Sequence, residues 1–150
     1  TLSLFKPLKN KIRTYYLTQL YRTLSMLLDG GLTISKSIQM AGNSSLDEIQ
    51  SDLSNAFKYI SQGRRVSEAF QYSNLTTTIS QRLISVGEKT GSLGDMLDNA
   101  AAFHEKELLA SIDSFVKIFE PILMAFLGLI IGSIVVLLYI PIFDLAGQIQ

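Results

Sequence analysis

The 150-residue chain contains no cysteine and a single histidine, His104. Without cysteine there are no disulfides and no thiolate metal sites, and with one histidine a zinc site would have to be built almost wholly from carboxylates. Metalloenzyme chemistry of the usual kind is thereby excluded, and no cofactor is expected. A charge excess is also missing: Lys+Arg and Asp+Glu are equal at 13 each, so there is no basic surplus to hold phosphates. No nucleic acid partner is expected. Glycine and proline are sparse, at 10 and 3, while 47% of residues are hydrophobic, which argues against disorder. The length suits one packed body with an appendage rather than two independent cores. No segment shows period-two alternation between turn signals, so no strand is predicted.

The longest apolar run is PILMAFLGLIIGSIVVLLYI, Pro121 to Ile140, which carries no charge. A helix of that length spans roughly the 30 Å of a bilayer's hydrocarbon core. Thirteen of its residues are Leu, Ile, Val or Phe, and near mid-membrane these favour insertion by roughly 4 to 8 kcal/mol. Ser133 is no obstacle, since its hydroxyl can return to a backbone carbonyl. The run is read as a transmembrane helix. All 13 Lys and Arg precede Pro121 and only Asp144 is charged after it, which places residues 1–120 in the cytoplasm and 141–150 beyond the membrane. Gly128 and Gly132 are spaced to let another transmembrane helix approach closely.

The remainder reads as helices. Ile12, Tyr16, Leu20, Leu24 and Leu27 form one apolar stripe ended by Gly30 and Gly31. Thr33 caps a short helix to about Ala41, and SLDE at Ser45 to Glu48 is a capping box. Leu46, Ile49, Leu53, Ala56 and Ile60 follow at helical spacing until Gly63. Val66 to Phe70 gives one or two turns, and Ile79, Leu83 and Val86 place a helix between Thr77 and Thr90. In GEKTGSLGDML, Gly91 occupies a left-handed C-cap, Ser92 caps the next helix, and Asp95 sits in its first turn, where the dipole favours it. That helix carries Leu93, Leu97, Ala100, His104, Leu108 and Phe115 on one face and runs toward the apolar segment, where Pro121 either kinks it or starts a new helix. The predicted class is all-α, an antiparallel bundle of about five or six helices followed by one C-terminal transmembrane helix.

Catalytic motifs are fragmentary. GEKTGSLG lacks the Gly-Lys pair and the preceding strand of a phosphate-binding loop, and HEKEL places Leu108 where a second zinc-binding histidine would stand. SFVK at Ser114 to Lys117 and KTG at Lys89 to Gly91 imitate serine acyl-transfer enzymes, but in the wrong order and without the Ser-Asp-Asn element. Glu88, Asp95 and Asp98 are acids that could gather a hard cation, although capping and solvation explain them equally.

Several ordered segments resemble the type II secretion system F proteins, inner-membrane platform proteins of type II secretion, type IV pilus and competence machines. LLDGGLTISKSI (Leu27 to Ile38) is similar to the family's first helix corner, and ISQGRRVSEAF (Ile60 to Phe70) to its Gly-x-x-hydrophobic-Ser-x-Ala-Phe segment. VGEKTGSLGDML resembles its Gly-Glu-x-Ser/Thr-Gly-x-Leu corner, and FEPILMAFLGLIIGSIVVLLYIPIF (Phe119 to Phe143) its closing membrane helix. Gly30 stands where the family more often has alanine. Members usually carry two helical copies and three membrane helices, so the chain is read as a piece resembling the C-terminal copy.

The resemblance implies a non-enzymatic protein of the bacterial inner membrane. Its helical body would take up motion from a hexameric assembly ATPase and pass it to pilin or pseudopilin subunits, alongside other inner-membrane machine components and further copies of itself. The matching positions are Gly31, Gly63, Phe70, Gly87, Glu88, Gly91, Leu93 and Pro121. Most are expected to be structural; Glu88 is the candidate contact, as a carboxylate at an exposed corner suited to a partner's arginine or a cation. The alternative reading is a membrane-anchored helical sensor or adaptor that dimerises through Gly128 and Gly132.

Overall fold

The computed structural model describes residues 5–44 and 47–149, and among them there is no strand. The elements are α1 (Phe5–Asp29), α2 (Ile34–Ser44), α3 (Asp47–Ser61), α4 (Val66–Tyr72), α5 (Thr78–Thr90) and α6 (Leu93–Ile149). Contacts divide the chain into two units, the first ending at Leu108 and the second beginning at Leu109.

In the first unit each helix packs on the next, α1 on α2, α2 on α3, α3 on α4 and α4 on α5. The ends of the helices follow from local chemistry. At α1, Leu32 N–H reaches the Leu27 carbonyl at 3.1 Å and Gly31 N–H the Leu28 carbonyl at 3.0 Å, with Gly31 at φ +88. This is the Schellman arrangement, in which a left-handed residue turns the chain back onto its own last carbonyls. Gly63 ends α3 in the same way, and Asn74, at φ 57, does so for α4. Asparagine tolerates this region better than other residues with a Cβ. Thr33 caps α2 through Lys36 N–H, at 3.3 Å; the helix runs on to Ser44, past the predicted end at Ala41. Ser45 and Leu46, the serine of the predicted capping box and its apolar neighbour, lie outside the described residues.

The core holds Tyr21, Leu24, Ala56, Ala69, Phe70, Leu75, Ile84, Leu97, Ala100 and Ala101, all without exposure. Three predicted faces shift. On α1, Leu17 and Tyr21 join Leu20 and Leu24 inside, while Ile12 is exposed and Tyr16 and Leu27 lie at the margin. On α5 the buried positions are Ser80, Ile84 and Gly87, whereas Ile79 and Val86 face out. The stripe of Ile79, Leu83 and Val86 identified the helix but not its inward side. A serine with hydrogen-bond partners and a glycine in a tight contact pack where larger apolar groups do not fit. On α6, Gly94, Leu97, Ala100, Ala101 and His104 are buried, while Phe115 is 74% exposed.

The second unit is the later part of α6. Every described residue from 112 onward is exposed. The most apolar stretch of α6 has a mean hydropathy of 2.7, with none of it buried among the described residues, and is long and apolar enough to cross a membrane. Ser133 donates to the Leu129 carbonyl at 2.7 Å, as its place in an apolar helix requires. Pro121 and Pro141 both lie inside α6. The expectation that Pro121 could begin a new helix is therefore corrected: one helix carries both the last core residues and the apolar run. An interior proline removes its own N–H from the ladder and crowds the carbonyl four residues back, costs that helices in apolar surroundings meet by local adjustment.

Candidate functional site

The corner between α5 and α6 brings together four of the singled-out residues: Gly87, Glu88, Gly91 and Leu93. Gly91 adopts φ 72, and its N–H bonds the Gly87 carbonyl, as does that of Ser92 at 3.0 Å. The chain then re-enters a helix at Leu93, with Asp95 in its first turn and Ser92 Oγ 2.6 Å from Thr90 Oγ1. The tightness of the corner rests on Gly87, which is buried. A Cβ there would lie 2.9 Å from Leu93 Cα and 3.0 Å from Met96 Cβ, too close for any side chain. Leu93 packs at the edge of the core, and Phe70 lies fully inside it.

Glu88 does not stand free at an exposed corner. It is partly buried, and its two oxygens accept from Ser67, one from the backbone N–H at 2.9 Å and the other from the hydroxyl at 2.6 Å. Ser67 is in the first turn of α4, whose N-cap residue Arg65 makes no side-chain cap. Glu88 thus supplies from α5 the acceptor that α4 lacks locally, and its negative charge suits the positive end of that helix. Beside it, Gln81 Nε2 donates to the Ser67 carbonyl at 3.1 Å.

A second set of polar groups is buried beneath the corner. Tyr21 on α1 donates its hydroxyl to the Leu75 carbonyl at 2.5 Å, and Ser80 Oγ lies 2.9 Å from the same phenol oxygen. Ser80 forms a capping box with Thr77: Thr77 N–H donates to Ser80 Oγ at 2.7 Å and Ser80 N–H to Thr77 Oγ1 at 3.2 Å. Thr77 Oγ1 is in turn 2.8 Å from His104 Nε2 on α6. His104 Nδ1 faces Glu107 at 3.4 Å. With the imidazole proton on Nδ1, every member finds a partner, Thr77 donating to Nε2. Burial pushes the Tyr21 phenol well above its ordinary range, outweighing the opposing effects of the Ser80 bond and Arg13. This is a satisfied core network holding α1, α5 and α6 in register, and His104 is a packing and hydrogen-bonding residue within it.

Ion pairs add exposed ties. Arg22 on α1 bonds Asp98, at 2.9 Å, and Glu105, both on α6. The Glu105 bond is the main cause of the raised Arg22 pKa, and burial opposes it. Arg13 bonds Asp52 at 2.7 Å and the Asn74 carbonyl at 2.5 Å.

Among the described residues no three His, Asp or Glu side chains group closely enough to hold a metal ion, so Glu88, Asp95 and Asp98 do not form the cation site their sequence proximity allowed. Ser114 donates to the Ala110 carbonyl of its own helix at 3.0 Å, the behaviour of a solvated helical serine. Gly31 and Gly63 are left-handed helix ends at other corners, and Pro121 lies within α6. Gly128 and Gly132 face open space, where an added Cβ would meet nothing within 4 Å.

Sequence reasoning missed the Tyr21–Ser80–Thr77–His104 network and the partner of Glu88. A signal for the first existed in the Thr77-x-x-Ser80 spacing. For the second there was none, since Ser67 and Glu88 are far apart in the chain. Gly94 was also missed. It is buried where a Cβ would lie 2.7 Å from Asp29 Oδ1, at the close meeting of α6 with the end of α1.

Residues 20–141 match the model of the family described as type II secretion system (T2SS), protein F. The chain is 30% identical to the type IV pilus assembly protein PilC of Myxococcus xanthus over 97% of its own length and 34% of that protein. It is likewise 30% identical to the protein transport protein HofC homolog of Escherichia coli, over 93% of this chain and 35% of that one. The type II secretion system protein F of Pseudomonas aeruginosa is 25% identical over 82% of this chain and 31% of its own length. The chain thus spans about a third of the length of the curated relatives it matches.

Proposed function

The chain belongs to the type II secretion system protein F family, and from that premise we propose that it is a helical body with its membrane anchor, working within an inner-membrane platform of a pilus-assembly or secretion machine. The observation that carries this reading is α6: it contributes Leu97, Ala100, Ala101 and His104 to the core, and further along it carries the charge-free apolar run. We assign residues 121–140 to the bilayer, residues 1–120 to the cytoplasm and the tail from residue 141 to the far side, because all the lysines and arginines precede Pro121.

The protein is proposed to act mechanically and without catalysis, receiving motion from a hexameric cytoplasmic ATPase and delivering it to pilin or pseudopilin subunits. Glycines 31, 63, 87 and 91, with Phe70, Glu88 and Leu93, set the shape of the body. Gly128 and Gly132 are proposed as the place where another membrane helix packs.

Co-purification from native membranes tests the reading. The platform assignment requires a hexameric ATPase and pilin-like proteins to accompany the tagged full-length protein. A membrane-anchored adaptor would bring down neither. An acyl-transfer enzyme would lose its activity in Ser114→Ala, a change that the platform tolerates.

A further inference from the structure

The outward side of α5 carries Ile79, Arg82, Val86 and Lys89 at helical spacing, all exposed, with Ile79 and Val86 at 37% and 49%. At the start of this stripe Arg82 shares an open hollow of about 580 Å³ with Arg13, Gln71 and Thr78. At its end Lys89 shares another, of about 450 Å³, with Arg65 and Glu88.

The cations here are uncommitted. Among the described residues Arg65, Arg82 and Lys89 make no ion pair, whereas Arg13 is held by Asp52. Arg64 by contrast lies over the rings of Tyr59 and Tyr72, 5.7 and 5.4 Å from their centroids. The acid on α5, Glu88, is oriented toward the first turn of α4 by its two bonds from Ser67 and keeps its negative charge. Glu68, exposed on α4, and Glu88 are the two acids set against Arg65, Arg82 and Lys89, the three cations of this face that make no ion pair among the described residues. A chain with balanced charge therefore presents one face that is locally positive and partly apolar.

We infer that this face docks an acidic amphipathic helix of a partner protein. Arg82 and Lys89 are about two turns apart, roughly 10 Å along the axis. The matching ligand carries carboxylates at i and i+7 with an apolar residue between them, the carboxylates entering the two hollows and the apolar side chain covering Ile79 and Val86. Hollows beside each cation favour inserted protein side chains over a lipid surface, which would cover the face without filling them. The inference goes beyond the platform reading and does not rest on it.

The probe is a synthetic alanine-rich helix with the pattern Glu-x-x-Leu-x-x-x-Glu, titrated against the purified full-length protein in a neutral detergent. Saturable binding that weakens with salt is the result expected. In the double variant Arg82→Glu, Lys89→Glu affinity should fall by about tenfold or more, since two exposed attractions become repulsions, and the matching Lys-x-x-Leu-x-x-x-Lys helix should bind that variant instead. Residues 1–150 contain no cysteine, so in a background cleared of any cysteine elsewhere Val86→Cys places a fluorophore on the face, and the acidic helix should change its emission. Equal binding by wild type and the reversed variant, a silent label at position 86, or binding confined to phosphatidylglycerol vesicles would each overturn the inference.

Discussion

The carboxylate of Glu88 and the first turn of α4 meet through a single residue, Ser67, which offers its N–H to one oxygen at 2.9 Å and its hydroxyl to the other at 2.6 Å. The acid that stands out most in the GEKTG corner therefore completes a helix in another part of the chain. Removing it exposes a cost of helix ends that is usually met locally.

Glu88→Ala should lower stability by about 1–3 kcal/mol, since it leaves a partly buried N–H and hydroxyl without their acceptor. Glu88→Gln, which keeps one carbonyl acceptor but loses the charge, should fall between it and wild type. Thermal unfolding in detergent, followed by circular dichroism, distinguishes this ordering from that of a surface acid, for which all three would coincide.

The two corner glycines fail in different ways. Gly91→Val forces a β-branched residue to φ 72 and should cost more than about 1 kcal/mol through backbone strain. Gly87→Ala places a methyl 2.9 Å from the Leu93 Cα and should cost about 1–3 kcal/mol through overpacking, because backbone must move. Gly31→Ala, with a positive φ but open space around it, isolates the strain component alone. If Gly87→Ala melts like wild type, α5 and α6 do not approach as described.

Tyr21 links stability to alkaline pH. Its folded-state pKa is raised above the ordinary 10.0, chiefly by burial. The unfolded chain therefore releases the phenolic proton first, and the stabilisation is full below about pH 10 and declines as the pH rises beyond it. Tyr21→Phe should remove that alkaline decline while costing about 1–3 kcal/mol at neutral pH, because the buried Leu75 carbonyl loses its donor. Urea titrations at neutral and high pH measure both effects.

The membrane assignment predicts strong sensitivity in the middle of the apolar run. Ile130→Arg should disfavour insertion by about 2.5–3.5 kcal/mol, seen as increased release of the protein from membranes at alkaline pH. The same substitution at exposed Ile112, outside residues 121–140, should have little effect on extraction.

Much of this protein was legible as pattern. Helical periodicity and glycine punctuation placed the corners at Gly31, Gly63 and Gly91, because each depends on residues within a few positions. Length and lack of charge marked the apolar run before any packing was known. Faces were less legible. Ser80 and Gly87 are buried in place of Ile79 and Val86, because a hydroxyl meeting Tyr21 and Thr77, and a hydrogen meeting Leu93, are acceptable only against particular neighbours.

What the sequence determined by itself is therefore the helical class, the turns and the long apolar run, all set by local backbone preference and by transfer free energies that add along the chain. Tertiary structure alone decided which side of α5 turned inward, that Glu88 serves α4, and that His104 is joined through Thr77 and Ser80 to Tyr21. Those outcomes depend on whether a polar group finds a partner on another element once water is excluded, and that is a property of the packed arrangement.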